Sequence, residues 1–582
     1  MPTLPSASLE STVVTTGAGA ASPGHLDADV IIIGSGIGGA CVAAALASGG
    51  HQIILLERGE YLRECPQSRD ETAIFADGFF RPEETWVDQH GKRFNPGNYY
   101  FVGGNSKFYG AAMLRLREHD FDAVEHLGGV SPAWPIDYAT LAPWYRAAEE
   151  LFQVRGDATA DPTEPPRAEQ DDYDYPPVAD EKAIAEVRRR LQRAGVTPSP
   201  LPLAVDVDAW LARAPTPWDS FPDTVGAKLD AETAPLATAL RHDNARIKTG
   251  ARVTRLLTGA DNSITAVEYR HAGKTKRLSA KVTVLSAGAV NSAALLLRSA
   301  NAANPAGLAN RSGQVGRNLM NHHASALLAF NPRWSNDAVY QKTLHFNDFY
   351  LRGGPGPADN RPLGNVQLLG KLSAGILAAL SPLPRALAGW SARHALGWYA
   401  ITEDLPVADN RVTIDGDGRN GDGDGDGRDG DGDGDGDGDS DSDGDCVDIR
   451  IAYRRTNWRA HELLVARAKA VFRRAGFPLT LSRAFDFRTP SHQCGTTRFG
   501  DDPADSVLNT FCRAHEHPNL FVVDAGFMPS SAAVNPALTI AAQALRVGAH
   551  LRARLEAGGD GSDGDGDRND NRDRDNHGNP GR

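Results

Sequence analysis

Runs of apolar residues that recur at long intervals set the pattern of this chain. Residues 30–33 and 53–56 are continuous apolar runs rich in β-branched side chains, which is typical of strands buried on both faces of a parallel sheet. Comparable runs return at residues 281–285 and 520–523. The pattern therefore predicts one parallel sheet assembled from distant segments of the chain, with a large insertion between them.

A glycine-rich turn follows the first of these strands. Gly34 permits a sharp turn, Gly36 lets the backbone approach a pyrophosphate, and Gly39 lets the next helix pack against the strand. Glu57 closes the second strand, where a carboxylate can accept hydrogen bonds from an adenosine ribose and disfavours a 2′-phosphate. The segment predicts a dinucleotide site, and a purely structural glycine turn is the alternative.

The middle of the chain has a different texture. Helical spacing covers residues 182–194, and residues 245–257 with 264–269 predict a pair of strands. Between residues 320 and 490, strand-like alternation and a helix over 461–474 suit an antiparallel sheet that forms a lid or a substrate domain.

A long Asp-Gly repeat interrupts this region. Residues 415–445 contain 14 Asp and 2 Arg, and the flanking sequences RVTI and VDIRIAY predict a hairpin whose loop is the repeat. It lacks the spaced bidentate acid of an EF-hand and the apolar positions of a β-roll. We expect a flexible, self-repelling polyanion, with weak binding of divalent ions such as calcium as the alternative. The acidic tail from Gly558 is interpreted in the same way.

Composition removes several classes of function. The formal charge of -13 arises in the repeat and in residues 560–582, so the rest of the chain is nearly neutral and predicts no nucleic-acid partner. Five scattered cysteines without a CxxC motif indicate a reducing, cytoplasmic location without disulfides or structural zinc. The first 27 residues lack the pattern of a secretory signal. The most apolar region, residues 372–401, is too interrupted to predict a transmembrane segment.

Two further segments carry candidate chemistry. Gly103 and Gly104 allow close backbone approach to a ligand, and the small residues at positions 110–112 leave room for a flat ring, although a turn between core segments explains this stretch equally well. Near the C-terminus, a helix is predicted over residues 536–550, with proline at its first position and Asn535 as its cap. Asn535 would then lie beside free backbone N–H groups that could face a flavin ring or a reacting oxygen.

Taken together, these motifs resemble the glucose-methanol-choline (GMC) family of FAD-dependent oxidoreductases, in its bacterial type, over residues 28–551. The matching sequences are GSGIGG with Glu57, GGNSKFYGAAMLR, SAGAVNSAALLLRS, QVGRNLMNHH, HQCGTTRFG and VNPALTI. The resemblance implies an α/β fold, with a Rossmann-like FAD-binding domain assembled from discontinuous segments and an α+β substrate domain built on an antiparallel sheet.

The resemblance also implies roles for individual residues. His492 would act as the base for a substrate hydroxyl while hydride passes to flavin N5, and Asn535 would hold the reacting oxygen. The implied cofactor-binding residues are Gly34, Gly36, Ile37, Gly39, Glu57, Arg58, Gly103, Gly104, Asn105, Tyr109, Gly110, Ala111, Val253, Ala287, Asp524, Ala525, Asn535, Pro536 and Ala537. No metal is needed.

The chain departs from the family pattern at a few positions. Tyr109 stands where the first signature usually has Asn, and Lys107 replaces a smaller residue. No His occurs in the ring-facing loop, where some relatives attach FAD covalently, so we expect non-covalent FAD. Cys494 is interpreted as a packing residue. His322 and His323 could reach the mouth of the pocket, but they are interpreted as ordinary loop or strand residues.

The resulting expectation is an enzyme that oxidises an alcohol or a sugar hydroxyl to a carbonyl and passes electrons to oxygen, a quinone or a redox carrier. The alternatives are a lyase that keeps FAD without net redox chemistry, a calcium-responsive binding protein acting through the Asp-Gly loop, and an NAD-linked dehydrogenase, which leaves His492 and Asn535 unexplained. The predicted segments are a flexible arm (1–27), FAD-binding parts (28–135, 245–325 and 491–556), a mixed connecting segment (136–244), the substrate domain (326–490, with a disordered insertion at 415–446) and a disordered acidic tail (557–582).

Overall fold

The structure is a computed structural model that describes residues 26–168, 171–213, 215–356, 359–380, 384–415, 448–488 and 492–558. Nearly all of the Asp-Gly repeat, the N-terminal arm and the acidic tail lie outside the described residues, as do the predictions of disorder made for them. Among the described residues, no helix combines the length and the apolar character needed to cross a membrane.

The strands are β1 (Ala28–Ile33), β2 (Ile53–Leu56), β3 (Trp86–Asp88), β4 (Arg93–Phe94), β5 (Val124–His126), β6 (Gly129–Ser131), β7 (Ser199–Pro200), β8 (Ala245–Lys248), β9 (Arg252–Thr258), β10 (Ile264–His271), β11 (Lys274–Leu278), β12 (Ala280–Leu285), β13 (His323–Phe330), β14 (Leu344–Phe346), β15 (Asn365–Leu368), β16 (Ala395–Thr402), β17 (Arg411–Ile414), β18 (Ile449–Ala452), β19 (Leu479–Ala484) and β20 (Leu520–Val522). The α-helices are α1 (Ile37–Ala47), α2 (Tyr138–Leu151), α3 (Lys182–Arg193), α4 (Val207–Leu211), α5 (Ala237–Ala239), α6 (Ala289–Arg298), α7 (Ala374–Leu380), α8 (Arg385–His394), α9 (Trp458–Arg474) and α10 (Ala537–Glu556).

A five-stranded parallel sheet, in the order β20-β12-β1-β2-β8, joins N-terminal, middle and C-terminal segments of the chain. Residues 30–33 of β1 and all of β20 are apolar and buried, as is typical of strands covered on both faces. Helices α1 and α10 approach closely, since a Cβ on Gly548 would lie 2.6 Å from the Cβ of Ala45. The prediction of one sheet built from distant segments is confirmed.

A second, six-stranded sheet is antiparallel, in the order β19-β13-β16-β15-β14-β7. Helix α9 packs on it through Leu464, Ala468 and Phe472, which belong to the same apolar cluster as Leu327 and Trp398. The predicted antiparallel sheet and the helices over 182–194 and 461–474 are therefore confirmed, with small shifts at the helix ends. The exact division of the chain into domains stays a prediction.

The predicted strand pair over 245–257 and 264–269 is wrong in its first half. Strand β8 ends at Lys248 and joins the parallel sheet, whereas β9 begins at Arg252 and forms a separate antiparallel sheet with β10 and β11. Gly250 separates the two strands with a left-handed φ of +59°, which only glycine adopts without strain. Strands β17 and β18 do pair as the predicted hairpin, with Ile414 opposite Ile449.

Candidate active site

A cavity of about 540 Å³ opens at the carboxyl ends of the parallel strands and extends to the antiparallel sheet. The ends of β1, β12 and β20 meet there, which is where open parallel sheets bind ligands. Most of the predicted site residues line this cavity: Gly34, Gly36, Ile37, Glu57, Arg58, Gly103, Gly104, Asn105, Tyr109, Gly110, Val253, Ala287, His492, Asp524, Ala525, Asn535, Pro536 and Ala537. Gly39 and Ala111 do not line it.

The three glycines of the first loop have different surroundings. A Cβ on Gly34 would lie 2.3 Å from the carbonyl oxygen of Ser286, and a Cβ on Gly39 would lie 2.1 Å from that of Gly34. A Cβ on Gly36 would meet no atom of the described residues within 4 Å, because it would enter the cavity. Gly34 and Gly39 thus permit packing, and Gly36 leaves the space that a pyrophosphate would occupy at the start of α1.

Glu57 is buried at the rim of this loop. Its Oε2 accepts hydrogen bonds from the backbone N–H of Ser35 at 3.0 Å and from the Ser35 hydroxyl at 2.7 Å, while Oε1 accepts from Gly59 N–H at 2.9 Å. Burial raises the pKa of this carboxyl group. Each carboxylate oxygen can accept two hydrogen bonds, so Oε1, with one hydrogen bond among the described residues, keeps an acceptor position that a ribose hydroxyl could use.

The ring-facing loop approaches the first loop backbone to backbone. Gly103 N–H donates to the Ser35 hydroxyl at 3.1 Å, and a Cβ on Gly104 would lie 3.5 Å from Cα of Gly36. Together the two loops bring glycine backbone to the cavity, with an acid at one end, an arrangement that suits a flavin dinucleotide. The residues present therefore suit FAD.

The two unusual residues of this loop are held by the segment around residue 230. Lys107 is buried, with its ammonium 2.9 Å from Asp230 and 2.6 Å from Glu232. The hydroxyl of Tyr109 donates to the carbonyl of Leu229, and the ammonium of Lys228 donates to the carbonyl of Tyr109. Lys107 therefore lies outside the cavity lining, whereas Tyr109 borders the cavity with its hydroxyl tied to the segment around residue 230.

His492 lies in the cavity wall, with a left-handed φ of +60°. Its Nε2 is 3.4 Å from Nδ2 of Asn535, and its Nδ1 is 2.6 Å from Nδ1 of His322. Nε2 of His322 is in turn 2.9 Å from the carbonyl oxygen of Ser531. The cavity therefore brings together a histidine pair and an amide side chain from three distant segments.

These contacts decide which ring nitrogens carry hydrogen. The carbonyl of Ser531 can only accept, so His322 must carry its hydrogen on Nε2 and, when neutral, offers Nδ1 as an acceptor. His492 then donates from Nδ1 to His322. The lone pair of His492 consequently lies on Nε2, beside Asn535.

Burial keeps both rings neutral. It lowers the pKa of His492 well below its usual range, and His322 and the cation of Lys342 lower it further. Burial also lowers the pKa of His322, against the opposing effects of the Ser531 carbonyl and Glu403. A neutral imidazole with a free Nε2 can accept a proton at neutral pH.

Asn535 does not cap the C-terminal helix, so that prediction is wrong. Helix α10 begins at Ala537, and Pro536 occupies the cap position with helical angles. Proline has no N–H to donate and its fixed φ fits a helix start, so no side chain is needed there. The Asn535 side chain is instead held by Gln367, whose Nε2 donates to its Oδ1 at 2.9 Å.

Asp524 connects two strand ends at the cavity floor. Its Oδ2 accepts from Gly288 N–H at 3.0 Å and from the Ser292 hydroxyl at 2.5 Å, and its Oδ1 accepts from Gly526 N–H at 2.8 Å. Burial raises the pKa of this carboxyl group. These bonds fix the turn after β20 against the start of α6.

Sequence reasoning did not find several residues at this site. His322 touches His492, Gln367 touches Asn535, and an ion pair between Lys342 and Asp219, 2.9 Å apart, lines the cavity next to Gly110. The signal for His322 was its place in the matched sequence QVGRNLMNHH. The other three residues lie outside any motif, and only the pairing of strands and loops brings them here.

Two other chemistries find little support. Among the described residues, no group of three or more His, Cys, Asp or Glu side chains is placed to hold a metal ion. Burial raises the pKa of the Cys494 thiol well above its usual range, so this cysteine is not a thiolate nucleophile. The interpretation of Cys494 as a packing residue agrees with its burial.

The fold and the site define a flavin-dependent oxidoreductase. A family model described as an FAD binding domain matches residues 29–76, and two described as GMC oxidoreductase match residues 217–324 and 439–544. The chain belongs to the GMC oxidoreductase family, and it is an FAD-dependent enzyme acting on CH–OH groups. The predicted family and the prediction of FAD are confirmed.

Similar proteins cover nearly the whole chain. It is 31% identical to paromamine 6'-oxidase from Streptomyces fradiae, over 89% of this chain and 90% of that protein, and 30% identical to 6'''-hydroxyparomomycin C oxidase from Streptomyces lividus, over 92% and 93%. It is 29% identical to 2-methyl-1,2-propanediol dehydrogenase from Mycolicibacterium austroafricanum, over 90% and 95%. The crystal structure of pyridoxine 4-oxidase has the same fold, with a TM-score of 0.61 and 21% identity over 90% of this chain and 99% of that one.

Proposed function

We propose that this enzyme oxidises a hydroxyl group of a small polar alcohol or sugar to a carbonyl, with His492 as the catalytic base. The observation that carries the proposal is the lone pair on Nε2 of His492, which faces the cavity beside the amide of Asn535. FAD, when bound, supplies the acceptor for the two electrons and the hydrogen that leave the carbinol carbon.

The residues of the chain divide the remaining work. Nε2 of His492 takes the proton of the substrate hydroxyl, and Nδ2 of Asn535 donates a hydrogen bond to the same oxygen as the carbonyl forms. His322 accepts from Nδ1 of His492 and so stabilises the imidazolium. The two glycine loops and Glu57 would hold the dinucleotide, and the turn at Asp524 with the start of α10 would border its ring.

The cavity wall favours a polar substrate. Lys342 and Asp219 face it as an ion pair, and Tyr399 and Phe485 supply aromatic surface beside them. A few convergent polar groups next to an apolar face select an oriented, hydroxylated ligand. Relatives named for paromamine, hydroxyparomomycin and a propanediol support the same class, so we infer a polyol or an amino sugar rather than a sterol.

Three further properties belong to this proposal. FAD is held without a covalent bond, because the ring-facing loop has no histidine. The enzyme acts in the cytoplasm, in keeping with the free cysteines Cys41, Cys65, Cys494 and Cys512. Its electron acceptor is oxygen, a quinone or a redox carrier.

The deciding experiment is an anaerobic titration of the purified holoenzyme with polyols, amino sugars, sterols and simple alcohols, followed by the visible flavin spectrum. Bleaching by polyols or amino sugars is expected, and bleaching by no alcohol would favour the lyase alternative. A variant lacking residues 416–444 should bleach equally well, whereas a calcium-responsive binding protein that acts through the Asp-Gly loop should lose its function on this deletion.

A further inference from the structure

We propose that Gln367 is a positioning residue: it anchors a chain of buried amides that fixes which face of the Asn535 side chain meets His492. Five side chains form this amide chain, in the order Asp161, Asn347, Asn365, Gln367 and Asn535. The inference rests on the proposed function in one respect, namely that His492 and Asn535 are the reacting pair. It goes beyond that function because none of the first four residues borders the cavity.

Short hydrogen bonds link the members of the chain. Asn347 Nδ2 donates to Asp161 Oδ2 at 2.8 Å, and Asn365 Nδ2 donates to Asn347 Oδ1 at 2.8 Å. Gln367 Nε2 donates to Asn365 Oδ1 at 3.0 Å and to Asn535 Oδ1 at 2.9 Å. All the links before Asn535 are fully buried, so water cannot replace a lost partner.

Asp161 gives the amide chain its direction. Burial opposes ionisation of this carboxyl group, but the charges of Arg117 and His345 and the hydrogen bonds of Thr163 outweigh it and hold the pKa of Asp161 well below its usual range. Arg117 lies 2.6 Å from it. Asp161 is therefore a carboxylate, which accepts hydrogen bonds and donates none.

An acceptor at one end determines every amide that follows. Asn347 must turn its NH₂ group to the carboxylate and its carbonyl to Asn365, because the reverse would place two acceptors in contact. By the same reasoning Asn365 turns its carbonyl to Gln367, which turns its NH₂ group to Asn535. Asn535 must then turn its carbonyl to Gln367 and its NH₂ group to His492.

This orientation matters for the base. An NH₂ group beside Nε2 of His492 can only donate, so it favours the ring form with a lone pair on that nitrogen. A flipped Asn535 would present its carbonyl, which favours the doubly protonated ring, with hydrogen on Nε2 as well as on the Nδ1 that donates to His322, and so removes the lone pair that takes the substrate proton. Gln367 thus acts on the reaction through Asn535, without touching the substrate.

Position 367 also carries an unfavourable feature. Oε1 of Gln367 is buried and has no hydrogen-bond partner among the described residues. A buried acceptor without a partner destabilises a protein, so glutamine carries a cost at this position of β15. The two orienting hydrogen bonds of Nε2 offset that cost and account for glutamine here.

The test compares Gln367→Met with Leu368→Met in the full-length holoenzyme. Both variants place methionine on β15, but residues 367 and 368 face opposite sides of the sheet, and Leu368 belongs to the apolar cluster under α9. Methionine at 367 keeps the length and removes the orienting bonds. Bound flavin and the melting temperature show whether each variant is folded.

Two readouts separate positioning from mere packing. Histidine labelled with ¹⁵N in its ring reports by NMR whether Nε2 of His492 carries hydrogen, and the resonance is assigned with His492→Ala. The pH profile of kcat/KM reports the pKa of the base. Gln367→Met should populate the form of His492 with hydrogen on Nε2. It should also move the rising limb of the kcat/KM profile to higher pH and lower kcat/KM at neutral pH by about ten-fold. Leu368→Met should change none of these quantities.

A second background excludes indirect effects. Asn535→Asp presents an oxygen to His492 whichever way it turns, so adding Gln367→Met to that variant should not move the rising limb further. Unchanged histidine resonances in Gln367→Met would overturn the proposal, even if its activity fell. If Gln367→Met does not fold, Asn365→Leu breaks the chain one link earlier and faces the same criterion. The NMR measurement needs no turnover, so it decides this inference even if no alcohol proves to be a substrate.

Discussion

The two walls of the cavity are built in different ways. On the side of the parallel sheet, the site consists of backbone and small residues at the ends of strands, where Gly34, Gly36 and Gly39 lie within one turn of chain. On the side of the antiparallel sheet, the lining residues His492 and Asn535 are held from behind by buried polar side chains from distant segments, such as His322 and Gln367. The first wall needs the absence of side chains, and the second needs particular hydrogen-bond partners.

The largest effect is expected where the second wall meets the substrate. His492→Ala should lower kcat by about a hundred- to ten-thousand-fold, because a positioned base supplies a factor of this size. The FAD content should be unchanged, since none of the hydrogen bonds of His492 involves the glycine loops. Anaerobic reduction of the bound flavin measured by stopped flow gives the rate directly. A variant that reduces its flavin at the parent rate would remove His492 from the chemistry.

The first wall predicts a contrast between Gly36 and Gly38, which lie two residues apart. Gly36→Ala places a methyl group in open cavity, so the apoprotein should melt like the parent while its affinity for FAD falls by at least about ten-fold. Gly38→Ala places a Cβ 1.8 Å from the carbonyl oxygen of Val523, and overpacking should lower the free energy of unfolding by about 3 kcal/mol. Thermal melting of the apoproteins and FAD titration separate the two effects. Equal melting temperatures for both variants would contradict the assignment of Gly38 to packing.

This difference between a contiguous glycine segment and side chains from distant segments explains which parts of the fold and the site could be predicted from the sequence. The glycine loop, its strand and Glu57 form one contiguous segment whose spacing has a local physical cause, so the parallel sheet and the FAD site were predictable. Strand β8 was misassigned because the turn at Gly250 follows an unbroken run of strand-like residues. Gln367 was not predictable, since glutamine on a strand has no distinctive pattern until the register places it 2.9 Å from Asn535.

Substitution of His322 tests whether the rate depends on the hydrogen bond that His322 accepts from Nδ1 of His492. His322→Phe keeps a ring but removes the acceptor for Nδ1 of His492, so kcat should fall by about ten-fold as the base loses its fixed form. His322→Asn restores an acceptor, and it should recover part of the lost rate. Flavin reduction rates for the two variants provide the comparison. Equal loss in both would show that His322 matters only for packing.

The smallest expected effect concerns the stability of the fold at acid pH, which the buried histidines in the antiparallel sheet and in the helix packed on it should dominate. Burial lowers the pKa of His461 to about 3 and that of His345 to about 4. In the pH range between these folded-state pKa values and the unfolded-state value of about 6.5, the unfolded chain binds protons that the folded chain does not. The contribution of the buried histidines to the free energy of unfolding is therefore fully present at neutral pH and is lost as the pH falls. His461→Gln should flatten this decline by up to about 1.4 kcal/mol per pH unit, measured by urea unfolding between pH 4 and 7. The exposed His90→Gln should leave the slope unchanged, and an equal change in both variants would show that the antiparallel sheet is not the acid-sensitive part.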